Sequence, residues 1–314
     1  MGGSRLLVLG WHNVEPTWFF PAAPGAGRAG LERQLAFLRR VASVVPLGDG
    51  LAALAAGRPL PPRALALTFD DGYRDNLRLA VPILERLGLP ATFFLVPGLL
   101  SRTTRPWWEL VGWACGRAGP DRVEFEGRTV GLATPAARRK AAATVAELVK
   151  RRDRAARDAA VAELVAACQP AGTAGEDGLF LDWDEAGRLA ARGFAIGSHT
   201  LHHSILAEEP PAEQASDLEL SRRRLQERLG VPVELLAYPN GTPADYDRTT
   251  IEAAARAGYA GAVTVVGGWN RPATPRYELR RFIQQPERGP AGLAIVPAEP
   301  LRRRLSSARR AGRR

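Results

Sequence analysis

The chain has 314 residues, 46% hydrophobic and 24% charged, enough to bury a substantial core as one large α/β domain or two smaller ones. No uninterrupted apolar run reaches the roughly 18 residues that a membrane span needs. Seven of the net +10 charges are arginines of the terminal RRRLSSARRAGRR, residues 302–314, so the basic balance marks a tail and not a folded nucleic-acid-binding face.

The opening MGGSRLLVLGWHNV carries a short apolar stretch with no small-residue cleavage site after it. It reads as no secretory signal, and a cytoplasmic location is expected, with export by another route left open. From there, short apolar runs alternate with helical patterns, the mark of a parallel sheet flanked by helices. Strands are expected at 5–10, 42–46, 64–69, 91–96, 194–197, 234–237, 261–265 and 278–283. Helices are expected near 31–41, 74–87, 183–192, 212–229 and 245–257. In the second of these, Leu77, Val81, Leu84 and Leu87 share a face, Pro82 is placed to kink the helix and Gly88 to stop it.

Residues 99–180 break the rhythm. TTRPWWELVGW is followed by an Ala/Arg-rich run over 134–169 with strong helix propensity, which reads as a helical insertion. Trp107, Trp108 and Trp113 are expected to pack that insertion onto the sheet, ahead of a sugar-stacking role. Cys115 and Cys168 have no metal-ribbon or CxxC spacing and read as reduced, buried thiols. The expected organisation is a single domain over 1–290 and a basic, solubilising tail over 291–314, with contact to anionic lipid or polymer as its other reading.

Four places carry polar residues that a purely structural reading finds awkward, and three of them end expected strands, where active sites of parallel sheets are built. Asp70 and Asp71 close the strand ALALTF with two adjacent carboxylates, which repel each other and lose solvation unless a cation or donors meet them. A turn or N-cap role needs only one of them. IGSHTLHHSIL holds three of the four histidines, and His199 and His203, four apart, would share one side of a helical turn and grip one metal ion. YPNG, residues 238–241, is a tight turn whose outward N–H groups suit an oxyanion. His12 ends RLLVLGWH and gains weight only beside the other groups. Two histidines and one carboxylate leave positions open on a divalent metal, the second carboxylate can act as general base, and a further histidine can protonate a leaving amine. This set suits amide hydrolysis.

TFDDG, then SHTLHH, then YPNG, in that order, resembles the polysaccharide deacetylases, the NodB-homology group or carbohydrate esterase family 4. The resemblance spans roughly 5–285 and implies a distorted (β/α) barrel that removes acetyl groups from sugar polymers with a divalent metal, often zinc. It implies Asp70 as catalytic base and Asp71, His199 and His203 as metal ligands. Asn240 stands where the family usually has a tyrosine whose backbone N–H helps form the oxyanion hole. The arginine usually found just before that turn is replaced by Ala237, and Arg281 in YELRRF is the candidate to orient the base instead. No histidine follows His203, whereas the commoner members place their catalytic acid near the C-terminus. GWHNV is similar to the N-terminal segment of the permuted poly-β-1,6-N-acetylglucosamine deacetylase branch, which makes His12 the acid candidate. LDWDEAGRLAARGFAIGSHT is similar to the same branch, with Trp183 expected to pack under the site.

The leading expectation is therefore a metal-dependent hydrolase acting on N-acetylglucosamine units of a polysaccharide. A small N-acetylated glycoside or glycolipid as substrate, and a glycan-binding pseudoenzyme, are the other readings.

Overall fold

The computed structural model describes residues 4–20, 27–285 and 293. The basic tail, save Leu293, lies outside the described residues. In chain order the first half runs β1 (Leu6–Trp11), α1 (Arg28–Val41), β2 (Ser43–Val44), α2 (Leu47–Ala55), β3 (Ala64–Phe69), α3 (Val81–Leu87), β4 (Thr92–Leu95) and α4 (Pro97–Leu100). An insertion follows: α5 (Trp107–Gly116), the hairpin β5 (Arg122–Phe125) and β6 (Arg128–Gly131), α6 (Pro135–Val149) and α7 (Arg154–Cys168). The chain then returns through α8 (Trp183–Ala191), β7 (Ala195–Ser198), α9 (Pro211–Leu229), β8 (Leu235–Ala237), α10 (Arg248–Arg256), β9 (Gly261–Val263), β10 (Trp269–Asn270) and β11 (Phe282–Ile283).

Strands β1, β3, β4, β7, β8 and β9 pair side by side in parallel, in that order. Leu279 then bridges Val263 of β9, while Phe282 and Ile283 pair with Leu9 and Gly10 of β1. The sheet therefore curls until residues 279–283 link its two ends, a half-barrel with helices outside. All residues of β1 and β3 are buried, as uninterrupted apolar runs require of strands covered on both faces.

Alternation along each strand sorts two cores. Leu7, Leu9 and Trp11 of β1 and Leu65, Leu67 and Phe69 of β3 face Leu31, Leu35 and Leu38 of α1 in the outer layer. Leu6, Val8, Ala64 and Ala66 face inward and meet Phe94, Ala237, Val263 and Leu279. Continuing that inward parity toward the carboxyl ends of the strands leads to Gly10 and His12, Thr68 and Asp70, and Arg281. The apolar floor thus gives way to a polar mouth at one end of the curl.

The insertion has its own apolar cluster, which buries Trp107, Trp108, Trp113, Cys115 and Cys168, the cysteines as free thiols. It is not wholly helical, since β5 and β6 form an antiparallel hairpin. The Ala/Arg-rich run is two helices, because Asp153 caps α7 by accepting the Ala156 N–H. The expected helix 74–87 is continuous but carries a π-helical turn over Asn76–Ala80 that runs directly into α3, with Pro82 just after it. Trp183 packs against the larger core cluster, its indole donating to Ser101 Oγ at 2.9 Å and its ring carrying the Arg228 guanidinium.

Candidate active site

Asp70 and Asp71 follow β3 directly, and they part company at once. Asp70 keeps the inward parity of the strand, with its N–H bound to the Trp11 carbonyl. There it meets Arg281 in a two-pronged pair: Nη1 to Oδ1 and Nη2 to Oδ2, each at 2.7 Å, with the side chains 0% and 1% exposed. The guanidinium also donates to Thr68 Oγ1 and to the Thr264 carbonyl, so it is fixed from both ends of the curled sheet. Gly10 permits the approach, since a Cβ there would stand 3.1 Å from both Arg281 Cδ and Thr68 Oγ1. Burial alone would raise the Asp70 pKa. The Arg281 charge and hydrogen bonds, helped by His199 and His12, outweigh it and hold the carboxyl below its ordinary range.

Asp71 takes a left-handed backbone, φ 69°, followed by Gly72 at φ 74°. That turn breaks the strand alternation and swings the second carboxylate toward the histidines. Its Oδ1 lies 3.2 Å from His199 Nε2 and 3.3 Å from His203 Nε2. His199 and His203 do not share a helical turn, contrary to the spacing argument. Residues 199–205 form a loop in which Thr200 (φ 65°) and His203 (φ 53°) are both left-handed, and this folds the second ring back beside the first, 5.0 Å away. Left-handed non-glycine residues cost about 1 kcal/mol or more each. Four of the eight among the described residues are Asp71, Thr200, His203 and Asn240, so the strain concentrates here.

The loop is held from α9. Asp217, buried, accepts the Leu201 N–H and the Ser204 hydroxyl, and Thr200 Oγ1 accepts the Ser204 N–H. On the other side Trp108 of the insertion lies against the His203 ring, 4.2 Å between centroids. Trp108 donates to Tyr73 Oη at 2.8 Å, and Tyr73 donates to Glu109 at 2.7 Å. Burial pushes both Tyr73 and Glu109 upward, so the phenol keeps its proton for that bond.

A cation fits between the two rings' donor atoms and the carboxylate. The His199 Nδ1 lies 2.7 Å from the Ala237 carbonyl and so must carry a proton there. In the neutral ring this leaves the Nε2 lone pair facing Asp71 Oδ1, which is itself buried without a hydrogen-bond partner. Two lone pairs so placed call for a proton or a metal ion between them. Asp71, His199 and His203 offer ligand atoms all within 4.8 Å of one another, two nitrogens and one oxygen, a donor set that suits a divalent transition metal. The two histidines diverge: burial lowers His203 to about 4, whereas the neighbouring Asp71 and Asp70 carboxylates outweigh burial and raise His199.

His12 closes the other flank, its Nε2 3.9 Å from Asp70 Oδ2 and its ring stacked on Phe20. The structure thus gathers Asp70, Asp71, His199, His203, His12 and Arg281 at one mouth. Asn240 stands on the turn after β8, three residues beyond the Ala237 that His199 contacts, with its side-chain nitrogen buried and unpaired. Sequence reasoning missed Asp217, Tyr73 and Glu109. The lone acid inside the apolar WWELVGW was the one available signal for Glu109.

This curled sheet with a polar mouth is the NodB-type carbohydrate deacetylase fold. PplD, a deacetylase of Streptococcus pyogenes solved in complex with acetate, superposes with a TM-score of 0.62 at 17% identity, covering 93% of this chain and 97% of its own. IcaB from Ammonifex degensii does so with a TM-score of 0.57 at 21% identity, covering 92% and 95%. The family model for polysaccharide deacetylase matches residues 57–262, and the chain belongs to that family. The poly-β-1,6-N-acetyl-D-glucosamine N-deacetylase of Escherichia coli K12 is 33% identical over 91 residues, 29% of this chain and 14% of that protein, so the match spans a small part of that relative's length. His12 and Arg281 fall outside the residues matched by the family model.

Proposed function

We propose that the protein hydrolyses the N-acetyl groups of N-acetylglucosamine units in a polysaccharide, with a zinc ion held by Asp71, His199 and His203. The observation that carries this reading is the division of labour between adjacent carboxylates: Asp71 faces two histidine nitrogens, while Asp70 is bound by Arg281. The ion, when bound, supplies Lewis acidity toward the acetyl carbonyl and water.

The chain's own groups do the rest. Asp70, kept ionised at neutral pH by Arg281, accepts the proton of the attacking water as general base. Arg281 fixes the orientation of that carboxylate through both oxygens. The Asn240 backbone N–H donates to the developing oxyanion. His12 gives its proton to the leaving nitrogen, which would otherwise depart as an unstable amide anion. Similarity to the Escherichia coli enzyme named above supports the choice of polymer.

The test is acetate release from a panel of β-1,6- and β-1,4-linked N-acetylglucosamine oligomers and from the monosaccharide, with metal content measured on the same samples. Release from oligomers supports the reading. Release confined to the monosaccharide would move the substrate to a small glycoside, and none from a metal-loaded protein would remove the activity altogether.

A further inference from the structure

His12 has a definite place at the mouth, yet its imidazole is held by little of its own: it is partly exposed, stacked on Phe20, and 3.9 Å from the nearest Asp70 oxygen. Its position is set by the backbone that carries it. That backbone leaves β1 and runs across the segment directly after Asp71 and Gly72, where two side chains fasten it. Asp75 Oδ2 accepts the N–H groups of both Val14 and Glu15, each at 2.8 Å. Asn76 Nδ2 donates to the His12 carbonyl at 2.7 Å and to Asp75 Oδ1 at 3.0 Å. The amide orientation follows from chemistry, because the flipped form would set two oxygens 2.7 Å apart. Asn76 is fully buried.

The local backbone explains why these residues reach back. Asn76 opens the π-helical turn, in which the Val81 N–H reaches the Asn76 carbonyl. Such a turn carries one residue more than an α-helical turn and re-aims the side chains at its start, which is why π turns recur at functional sites.

We infer that Asp75 and Asn76 are positioning residues that clamp His12, so that one rigid segment, residues 70–76, sets the geometry of both the proton acceptor and the proton donor. The clamp rests on the reading of His12 as the acid in the proposed deacetylation. It accounts for one buried and one half-buried polar residue that neither the metal cluster nor the core uses. A displaced donor misses a proton transfer whose geometry tolerates little, since an error near 1 Å can cost about 100-fold.

The test compares two substrates on the zinc-loaded protein. An N-acetylated glucosamine oligomer needs its leaving nitrogen protonated, whereas 4-nitrophenyl acetate releases a stable phenolate and does not. Asp75→Ala and Asn76→Ala are expected to lose about tenfold or more in kcat on the oligomer, with KM, metal content and ester hydrolysis near the parent values. Asp75→Asn keeps an acceptor oxygen for Val14 and Glu15 and is expected to restore most of the loss. Adding Asn76→Ala to His12→Gln is expected to cost nothing further on the oligomer. Unaltered ester hydrolysis also certifies folding; if Ala at either position fails to fold, Asn76→Ser and Asp75→Ser, whose short side chains do not reach the same partners, carry the comparison.

Equal loss on both substrates, or no loss on either, overturns the clamp. Full oligomer activity in His12→Gln instead overturns the reading of His12 beneath it, so the two failures are told apart.

Discussion

Replacing Arg281 by Met keeps most of the stem and removes the guanidinium that Asp70 faces. The pair is made of two 2.7 Å charge-assisted bonds between side chains 0% and 1% exposed, so water cannot replace the lost partner. Breaking one side of such a buried pair costs about 3–5 kcal/mol, because a carboxylate is left without compensation. Arg281 also ties Thr68 of β3 to the Thr264 carbonyl, so the loss is felt where the curled sheet meets itself. The assay is denaturant unfolding of parent, Arg281→Met, Asp70→Asn and the double variant, in metal-free protein. Each single variant is expected to lose about 3 kcal/mol or more, and the double variant less than the sum, with a coupling of about 1–3 kcal/mol. The pH sense follows from the depressed Asp70 pKa: its contribution is present above the unfolded carboxyl range near 4, is lost as pH falls through the folded value, and disappears in the Met variant. Additive losses within about 0.5 kcal/mol would refute the pairing as a source of stability.

Other outcomes can be measured alongside. Asp217→Ala removes the acceptor of the Leu201 N–H and Ser204 hydroxyl, and is expected to weaken zinc binding by about 10- to 100-fold in a competitive chelator titration. Burial raises the Asp217 pKa from 3.8 to about 6, so the folded state holds that proton more tightly and stability falls as pH rises between about 4 and 6. Asp217→Asn is expected to flatten that slope by up to about 3 kcal/mol, read from unfolding curves across the window. Gly10→Val brings extra methyl groups against Arg281, Thr68 and Ile283, and is expected to cost about 1–3 kcal/mol with loss of acetate release. His203→Ala is expected to abolish metal retention on dialysis while leaving the fold intact by circular dichroism, because His203 lies in the loop 199–205 and not in a strand or helix.

Much of the architecture was legible because it is written in runs. LLVLGW and ALALTF could only be strands buried on both faces, and their ends marked the mouth. Asp70 and Asp71 stood out because adjacent carboxylates after a buried strand need a cation or donors, and the histidine cluster offered ligands for one. What the runs do not carry is backbone handedness. The helical turn expected over 199–203 is a loop because Thr200 and His203 adopt positive φ, which three-and-four spacing cannot report. The hairpin β5–β6 and the short helix α2 are too brief for periodicity to register. Apart from Glu109, alone in an apolar run, Asp75, Asn76 and Asp217 were individually unremarkable acids and amides. Their partners lie 13 to 90 residues away in the chain, and such pairings become visible only when the sheet curls.

The central claim is that Asp71 belongs to the metal and Asp70 to the proton. Its most direct measurement pairs metal content with acetate release for the parent, Asp70→Asn and Asp71→Asn on the same N-acetylglucosamine oligomer. The expected result is that Asp70→Asn keeps a full complement of ion and loses release by about 100-fold or more, whereas Asp71→Asn loses the ion itself. Parent-like release from Asp70→Asn, or an undiminished ion content in Asp71→Asn, would contradict that division.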